Sequence, residues 1–363
     1  MKLQDIYSKV TCKENLSLDQ AMMLYKQAPT AKLMEIAHQL REQATPHSEV
    51  VTWQIDRNVN ITNVCISGCK FCNFHCRPAD KDRAYITSLD EYKQKITQTL
   101  EAGGDQLLLQ GGLHPKLDIV YYEELFGALK EFAPSLKLNA LGAPEVAHIA
   151  KISSLSLEQT LERLKVAGLD TLPGAGAEIL NEQVRKRISA AKPSAKVWLE
   201  VMRLAHRMNI PTTATMMYGH VETLEQRIEH LLTLRDLQAE KPEGHYGFTA
   251  FIPWIFHSRG TQLEKEGVRS NFSAIEYVRL IAMSRIILNN ITNIQTSWLT
   301  VGVPTAQITL HGGANDMGSI MIEENVVSSA GAFNSLNAST MQQAIKDAGF
   351  TPRLRNQLYE FRD

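Results

Sequence analysis

The sequence predicts a single (β/α)8 barrel, in which eight parallel strands alternate with helices that surround them. Two patterns support this prediction. About eight short runs rich in β-forming residues occur between residues 55 and 310, and a longer segment of helical period separates most of them. Several helical segments begin with a capping box, in which Ser or Thr is followed three residues later by Glu or Gln. A doubly wound open sheet shows a similar alternation and is the alternative fold.

The first 50 residues are predicted to be helical, and a capping box at residues 17–20 precedes an apolar helical run. The predicted strands are 55–64, 106–110, 136–141, 170–173, 211–217, 246–252, 293–298 and 306–310. Capping boxes between the strands begin at Ser88, Ser156, Thr223 and Ser273. We therefore expect an N-terminal helical extension over residues 1–50, a barrel over 51–320 and a C-terminal segment packed on the barrel over 321–363.

The composition argues against nucleic acid and membranes as partners. Of the 363 residues, 44% are hydrophobic and the formal net charge is −1, so a large core is possible and there is no excess of basic residues. The N-terminus lacks the basic region and apolar stretch of a signal peptide. No run approaches the roughly 20 apolar residues that span a bilayer. We expect a cytoplasmic protein.

Four of the five cysteines lie within residues 65–76, directly after the first predicted barrel strand. Cys65, Cys69 and Cys72 have the spacing C-x3-C-x2-C, and Cys76 follows them. A disulfide framework would not crowd cysteines in this way, so the cluster predicts a metal site in a reducing compartment. Three thiolates can hold three irons of a cubane and leave the fourth iron open to an outside ligand. A zinc site formed by all four cysteines is the alternative, although zinc sites usually separate their cysteines into two pairs.

The cysteine segment, with Phe71 between its last two cysteines, resembles the C-x3-C-x-aromatic-C motif of the radical S-adenosylmethionine (SAM) superfamily. The resemblance implies a [4Fe–4S] cluster held by Cys65, Cys69 and Cys72, with SAM bound to the open iron. One electron from the cluster then cleaves SAM to a 5′-deoxyadenosyl radical, which implies an external donor such as flavodoxin or ferredoxin. We expect Phe71 to shield the cluster within the cofactor site and Cys76 to be a bystander thiol.

Two further segments resemble those with which this superfamily binds SAM. Gly111 and Gly112 follow the second strand and resemble a Gly-Gly-acid segment whose backbone receives the methionine amino group, since a missing Cβ permits close approach. Residues 173–180 resemble the segment whose glutamate, here Glu178, binds the ribose hydroxyls, because a carboxylate can accept two hydrogen bonds. A plain turn at the glycine pair and a helix-dipole acid at Glu178 are the structural alternatives.

Within the superfamily, five segments resemble the menaquinone-pathway branch that acts on futalosine derivatives: 212–220, 251–254, 290–298, 313–319 and 323–327. This resemblance implies dehypoxanthine futalosine as the small-molecule substrate, with hydrogen abstraction at ribose C4′ and attack of the carbon radical on the benzoate ring. An aminofutalosine synthase type of enzyme is the nearest alternative. A non-catalytic Fe–S electron carrier is the alternative from another class. The chain departs from the family at Asn139, where histidine is usual, and at residues 142–143, where Ser-Pro is usual.

The implied cyclisation needs a base for the ring proton and polar groups for the substrate. The candidates are His114 beside the glycine pair, His220 after the strand 211–217, and Glu323 and Glu324 in the C-terminal segment. Each candidate has a structural alternative. His220 could cap a helix or sit hydrogen-bonded in the wall, and the two glutamates could form a solvated acidic pair.

Overall fold

The computed structural model describes residues 2–323, 325, 328–331 and 334–362. Three helices precede the first strand: α1 (Leu3–Thr11), α2 (Leu18–Gln27) and α3 (Thr30–Ala44). The predicted capping box at α2 is present, since the Ser17 side chain accepts a hydrogen bond from the Gln20 amide. The first strand begins at Val50, five residues before its predicted start. The division of the chain at residues 50 and 320 stays a prediction.

The strands close into the predicted (β/α)8 barrel. Its strands are β1 (Val50–Gln54) and β2 (Asp56–Asn60), two halves of one barrel strand, then β3 (Gln106–Gln110), β4 (Lys137–Ala140), β5 (Thr212–Tyr218), β6 (Phe248–Ile255), β7 (Asn293–Ile294) and β8 (Asp316–Ser319). All neighbouring strands pair in parallel. Strand β8 pairs with β1, β3 pairs with both β2 and β4, and β6 pairs with both β5 and β7. Single parallel bridges link these groups at Asn139–Thr171, Leu172–Thr212 and Gln295–Asp316. Residues 171–172 thus take the place of the remaining barrel strand.

Helices separate the strands and cover the barrel. They are α4 (Leu89–Glu101), α5 (Ile119–Phe132), α6 (Ala143–Ile152), α7 (Leu157–Ala167), α8 (Glu182–Ser189), α9 (Ala195–Arg207), α10 (Leu224–Ala239), α11 (Gln262–Lys265), α12 (Ala274–Ile287), α13 (Trp298–Val301) and α14 (Val303–Leu310). The capping boxes predicted at Ser88, Ser156 and Thr223 are present. The box predicted at Ser273 is only half formed, since the Ser273 side chain accepts from the Glu276 amide but the reciprocal hydrogen bond from the Ser273 amide is not made. No helix in the described part of the chain is long and apolar enough to cross a membrane.

The prediction of a strand at residues 306–310 is wrong, because this segment lies in helix α14. The Thr and Ile residues there favour a strand locally, but Pro304 in the first turn is compatible with a helix start. The buried residues Thr305, Ala306, Thr309 and Leu310 have helical spacing. The last barrel strand is instead β8, a four-residue segment too short and too polar to be recognised by its pattern.

Much of the barrel interior is lined by polar side chains rather than by large branched ones. Asn58 of β2, Leu108 of β3 and Asn139 of β4 are in register and line the same cavity. Along the first barrel strand, alternate residues from Gln54 to Asn60 face this cavity, as the period of a strand requires. A usual barrel of this class is filled by layers of Val, Ile and Leu. The polar interior here leaves room for ligands.

The C-terminal segment returns to the N-terminal end of the barrel. Helix α15 (Ala338–Asp347) leads to β9 (Thr351–Leu354), which pairs in parallel with β1 from Val50–Thr351 to Trp53–Leu354. The chain then contributes Arg355, Gln357 and Tyr359 to the cavity lining. These side chains form part of the floor of the cavity.

Candidate active site

A cavity of about 410 Å³ runs down the barrel interior. It collects all seven residues that the sequence singled out for the cluster and SAM. The predicted residues that line it are Cys65, Cys69, Phe71, Cys72, Gly111, Gly112 and Glu178. They come from loops that follow successive strands, so the barrel brings together residues more than 100 positions apart in the chain.

The cysteine loop presents three thiols to the cavity. Ser67 bridges two of them, with its Oγ 2.9 Å from Sγ of Cys65 and 3.3 Å from Sγ of Cys69. The amide of Leu113 donates to Sγ of Cys65 over 3.2 Å, which ties the glycine-pair segment to the cysteine loop. Burial raises the pKa of Cys69 to about 11 and also raises the pKa of Cys72. Coordination to iron deprotonates such thiols, so this donor set fits a bound cluster.

Cys76 does not join these three thiols in the cavity. Its Sγ lies 3.4 Å from Oδ1 of Asn63, to which it donates, and its side chain is buried. Its amide donates to the Asn63 carbonyl over 2.8 Å, and its carbonyl accepts from the Cys65 amide over 3.0 Å. Cys76 therefore holds the two ends of the cysteine loop together, as expected of a bystander thiol. Its partner Asn63 lies outside the cavity lining, which does not favour a zinc site built from all four cysteines.

The glycine pair packs directly against the cysteine loop. The Gly112 amide donates to the Thr62 carbonyl over 2.8 Å, and the Gly111 amide donates to Oε1 of Glu145 over 2.9 Å. A Cβ at position 112 would overlap the carbonyl oxygen of Val64 and lie 2.8 Å from Cβ of Cys65. Glycine at 112 is thus required by contact with the loop that carries the cysteines.

Gly112→Ala is expected to displace the cysteine loop and lower the stability of the protein by about 1–3 kcal/mol, as overpacking against backbone usually does. The measurements are thermal unfolding and iron content after anaerobic reconstitution. Gly127→Ala is the matched control, because a Cβ there in helix α5 meets nothing within 4 Å and alanine favours a helix. Equal iron content and stability in the two variants would contradict the expected contact.

Glu178 lies in the cavity wall with its carboxylate paired. Lys192 donates to its Oε1 over 2.8 Å, and both side chains are largely buried. The Lys192 ammonium also lies 5.1 Å from the centroid of the Phe71 ring. Burial lowers the pKa of Lys192, but the neighbouring Cys69 and Glu178 raise it above its ordinary value, so the lysine stays charged. Glu178 has a φ of +47°, which is uncommon outside glycine and often marks a functional position.

The two histidines predicted to be catalytic do not line the cavity. Nδ1 of His114 accepts from the Lys116 amide over 3.1 Å, so the ring is directed along its own loop. The side chain of His220 is fully buried. Its Nδ1 lies 2.7 Å from the Val221 amide nitrogen and 3.0 Å from Oε2 of Glu222, and its Nε2 lies 3.0 Å from the Met217 carbonyl oxygen. Burial lowers the pKa of both histidines. His220 thus orders the loop after β5, in line with its structural alternative.

Glu323, the described member of the acidic pair in the C-terminal segment, also does not line the cavity. Oε2 of Glu323 accepts from Lys95 of helix α4 over 2.5 Å, and its Oε1 accepts from Asn325 over 3.1 Å. Glu324 lies outside the described residues. A catalytic role for His114, His220 or Glu323 stays a prediction that no contact in the cavity supports, and a role for Glu324 stays a prediction as well.

Several cavity residues were missed by sequence reasoning, among them Glu145, Lys192 and Arg355. Glu145 follows strand β4 in the first turn of helix α6, a position at which an acid also suits the helix dipole. Lys192 and Arg355 carry no local signal, because each reaches the cavity from a distant segment. Asn139, the departure noted above, lines the cavity, and its Oδ1 accepts from Thr171 over 2.8 Å.

Comparison with known proteins is consistent with this geometry. The family model "Radical SAM superfamily" matches residues 59–234, and the model "CofH/MqnC C-terminal region" matches residues 245–363. The solved structure of the FeFe-hydrogenase maturase HydG from Carboxydothermus hydrogenoformans superposes with a TM-score of 0.75 at 17% identity, covering 98% of this chain and 80% of that chain. At 17% identity, this structural similarity supports the barrel fold of the chain.

Three curated relatives align over nearly the whole chain. Cyclic dehypoxanthine futalosine synthase of Streptomyces coelicolor is 41% identical, over 99% of this chain and 88% of that protein. A 5-amino-6-(D-ribitylamino)uracil–L-tyrosine 4-hydroxyphenyl transferase of Methanopyrus kandleri is 40% identical, over 91% and 88%. Aminodeoxyfutalosine synthase of Thermus thermophilus is 37% identical, over 99% and 95%. Relatives of similar identity thus carry the names of three different reactions.

Proposed function

The chain belongs to the radical SAM superfamily, and from that premise we propose that it converts dehypoxanthine futalosine to its cyclic form in menaquinone biosynthesis. As a member of the superfamily it is an enzyme that uses a [4Fe–4S] cluster and SAM. The choice of substrate rests on two relatives named for that reaction, which are 41% and 38% identical and each align over 99% of the chain. The transferase relative aligns over 91% of the chain, and the aminodeoxyfutalosine synthase is 37% identical. A small-molecule substrate also suits an interior cavity of about 410 Å³.

The end of the cavity lined by the cysteine loop, the glycine pair and Glu178, called here the upper part, is proposed to hold the cofactors. Cys65, Cys69 and Cys72 would ligate the cluster and Phe71 would shield it, while Gly111, Gly112 and Glu178 would contact SAM. Together the cofactors supply a 5′-deoxyadenosyl radical for hydrogen abstraction, with the electron coming from an external donor such as flavodoxin or ferredoxin. The protein has to orient the ligands and exclude water, since stray hydrogen donors quench radicals.

The lower part of the cavity is proposed to hold the substrate. Asn58, Asn139, Thr213 and Thr215 provide a polar wall that suits ribose hydroxyls, and Oδ1 of Asn58 has no protein partner. Trp298 adds a flat apolar surface of the kind that packs against an aromatic ring. These contacts would fix the reacting carbons near one another, which intramolecular attack requires.

The test is an anaerobic assay of the reconstituted protein with reductant, SAM and one substrate at a time. With dehypoxanthine futalosine we expect free 5′-deoxyadenosine and a product lighter by a hydrogen atom, a proton and an electron. Incorporation of the adenosyl group into an enolpyruvyl benzoate would identify an aminofutalosine synthase type of enzyme instead. Product from 5-amino-6-(D-ribitylamino)uracil and tyrosine would identify the transferase reaction, and redox cycling without any 5′-deoxyadenosine would indicate an electron carrier.

Glu178→Gln is expected to weaken binding of SAM and of 5′-methylthioadenosine alike, each by about tenfold, because both contain the ribose diol and a charged hydrogen bond is lost. Equilibrium dialysis with the reconstituted, unreduced protein measures both affinities. Glu182→Gln, four residues away in the exposed first turn of α8, should change them by less than about twofold. Unaltered affinities in Glu178→Gln would contradict the ribose role.

A further inference from the structure

The proposed cyclisation requires a base inside the cavity, because the attacked ring carbon loses its proton while water is excluded. The carboxylates that line the cavity in the described part of the chain are Asp56, Glu145 and Glu178. Glu178 is paired with Lys192, and Glu145 accepts from a backbone amide of the glycine pair. His75, the histidine of the described lining, has Nδ1 2.9 Å from a carbonyl oxygen of the cysteine loop. All three lie at the upper part with the proposed cofactor ligands, which leaves Asp56.

Asp56 lies beside the surface proposed for the aromatic ring of the substrate. It is the first residue of β2, so it is at the opposite end of this strand from the cysteine loop, which follows β2. Its Oδ1 accepts from the Ser319 hydroxyl, and the Ser319 carbonyl accepts from the Trp298 indole over 3.1 Å. A single residue therefore separates this carboxylate from the side chain against which the ring is proposed to pack.

The surroundings of Asp56 favour the uptake of a proton. The residue is 6% exposed, and burial raises the pKa of its carboxyl, although the hydrogen bonds from Ser319 and Gln106 and the Arg355 charge act to lower it. The Arg355 guanidinium is itself engaged bidentately by Asp316. A buried carboxylate of raised pKa holds an accepted proton more firmly than an exposed one, which suits a general base.

Gln106 can bond to Asp56 in either protonation state. Its Nε2 donates to Oδ2 of Asp56 over 3.0 Å, as an ionised carboxylate requires. Its Oε1 is buried and has no hydrogen-bond partner among the residues that the structure describes. A half-turn of the amide would present Oε1 to a protonated Oδ2, because an amide carries donors on one side and an acceptor on the other. The site can therefore hold the proton without breaking this contact.

A simpler reading is that Asp56 only joins strands β2 and β8. Its amide donates to Oγ of Ser319 over 3.1 Å, and its carboxylate accepts from the same hydroxyl. Asparagine would serve this role equally well, since its Oδ1 can accept from Ser319 and its Nδ2 can donate to Oε1 of Gln106. The structural contacts therefore explain a polar side chain in the cavity wall but not an acidic one.

We propose that Asp56 is the base that takes the proton from the ring carbon attacked by the ribose radical, an inference that rests on the proposed cyclase function. The bond between ribose C4′ and the ring carbon forms first, and the C–H bond of that ring carbon then breaks. Its proton passes to the Asp56 carboxylate, and the remaining electron passes to a one-electron acceptor of the iron–sulfur or flavin class. Loss of both restores the aromatic ring.

Asp56→Asn removes the base and can keep the contacts of the side chain. With SAM and dehypoxanthine futalosine, we expect this variant to form 5′-deoxyadenosine at a rate within a few fold of the unaltered protein. The yield of cyclic product per 5′-deoxyadenosine should fall about a hundredfold or more, the usual contribution of a general base. Substrate deuterated at the attacked ring position should lower this yield further in the variant than in the unaltered protein, because cleavage of the C–H bond has become slow.

Asp105→Asn is the matched control, since Asp105 is a partly buried carboxylate whose pKa is also raised by burial but which does not line the cavity. Its product yield and isotope effect should match those of the unaltered protein. Gln106→Leu keeps the Asp56 carboxylate without its amide partner, should lower the yield by about tenfold, and serves if Asp56→Asn does not fold.

An unchanged yield in the variant measured would overturn the proposal, as would an equal loss in Asp105→Asn. Loss of 5′-deoxyadenosine together with the product would also overturn it, because Asp56 would then act before the ring is attacked. Failure of the unaltered protein to form any cyclic product would instead overturn the proposed function and this inference with it, so the two failures are distinguished by the unaltered protein.

Discussion

Replacing any one of Cys65, Cys69 or Cys72 with alanine is expected to lower 5′-deoxyadenosine formation by about a thousandfold or more, the scale at which a whole catalytic group is lost. Each of these thiols lines the cavity, and Ser67 and the Leu113 amide hold Cys65 in a defined geometry. A cubane with one missing thiolate is open to loss of iron and to solvent. Iron and sulfide content, the visible spectrum and SAM cleavage measure the effect together.

Cys76→Ser is the control for this prediction, because serine can still donate a hydrogen bond to Asn63. We expect it to retain the cluster and to cleave SAM at a rate within a few fold of the unaltered protein. Cys12→Ala, at an exposed position in the turn after α1, should have no effect. Loss of the cluster in Cys76→Ser, or turnover retained in any of the three alanine variants, would contradict an iron left open by three cysteine ligands.

The cysteine loop could be predicted because its information is local. Ligand spacing, the glycine pair after a strand and the capping boxes each lie within a few consecutive residues. The structure has the glycine pair and the boxes at Ser88, Ser156 and Thr223 where the sequence indicates them. The barrel could be predicted because strands and capped helices alternate along the sequence. The strand predicted at 306–310 was wrong because local β-propensity there competes with a helix that buries Ala306 and Leu310.

The sequence did not show which side chains near a motif face the cavity. Leu113 lines the cavity while the next residue, His114, does not, because Nδ1 of His114 accepts from the Lys116 amide within its own loop. Likewise Thr213 and Thr215 line it while Thr212 instead bonds His206. Nearness to a motif therefore did not place a histidine in the site.

Residues that meet only in the folded barrel carried no signal in the sequence. Arg355 follows β9 and reaches the cavity only because that strand pairs with β1, some 300 residues earlier in the chain. Its partner Asp316 belongs to the short strand β8, which was missed. Glu145 and Lys192 were missed for the same reason. Each is recognisable as a site residue only from a contact with a residue distant in the sequence, Gly111 for Glu145 and Glu178 for Lys192.

Asp316→Ala is expected to destabilise the protein by about 3–5 kcal/mol, because it leaves the Arg355 guanidinium buried without a counter-ion. The pair is bidentate, with Nε donating to Oδ2 over 2.6 Å and Nη2 donating to Oδ1 over 3.0 Å. Both side chains are at most 3% exposed, and Thr52 and Gly318 donate to the same carboxylate. Chemical denaturation of the purified protein measures the loss.

Glu35→Ala provides the comparison, since the Lys32–Glu35 pair has a similar distance of 2.8 Å but both its side chains are exposed. Its removal should cost less than about 1 kcal/mol. The double variant Asp316→Leu with Arg355→Met should lose less stability than Asp316→Ala, because both charges of this pair are then removed together. If Asp316→Ala cost no more than Glu35→Ala, the barrel floor would be open to water, and the enclosed cavity that radical chemistry requires would have to be closed by other means.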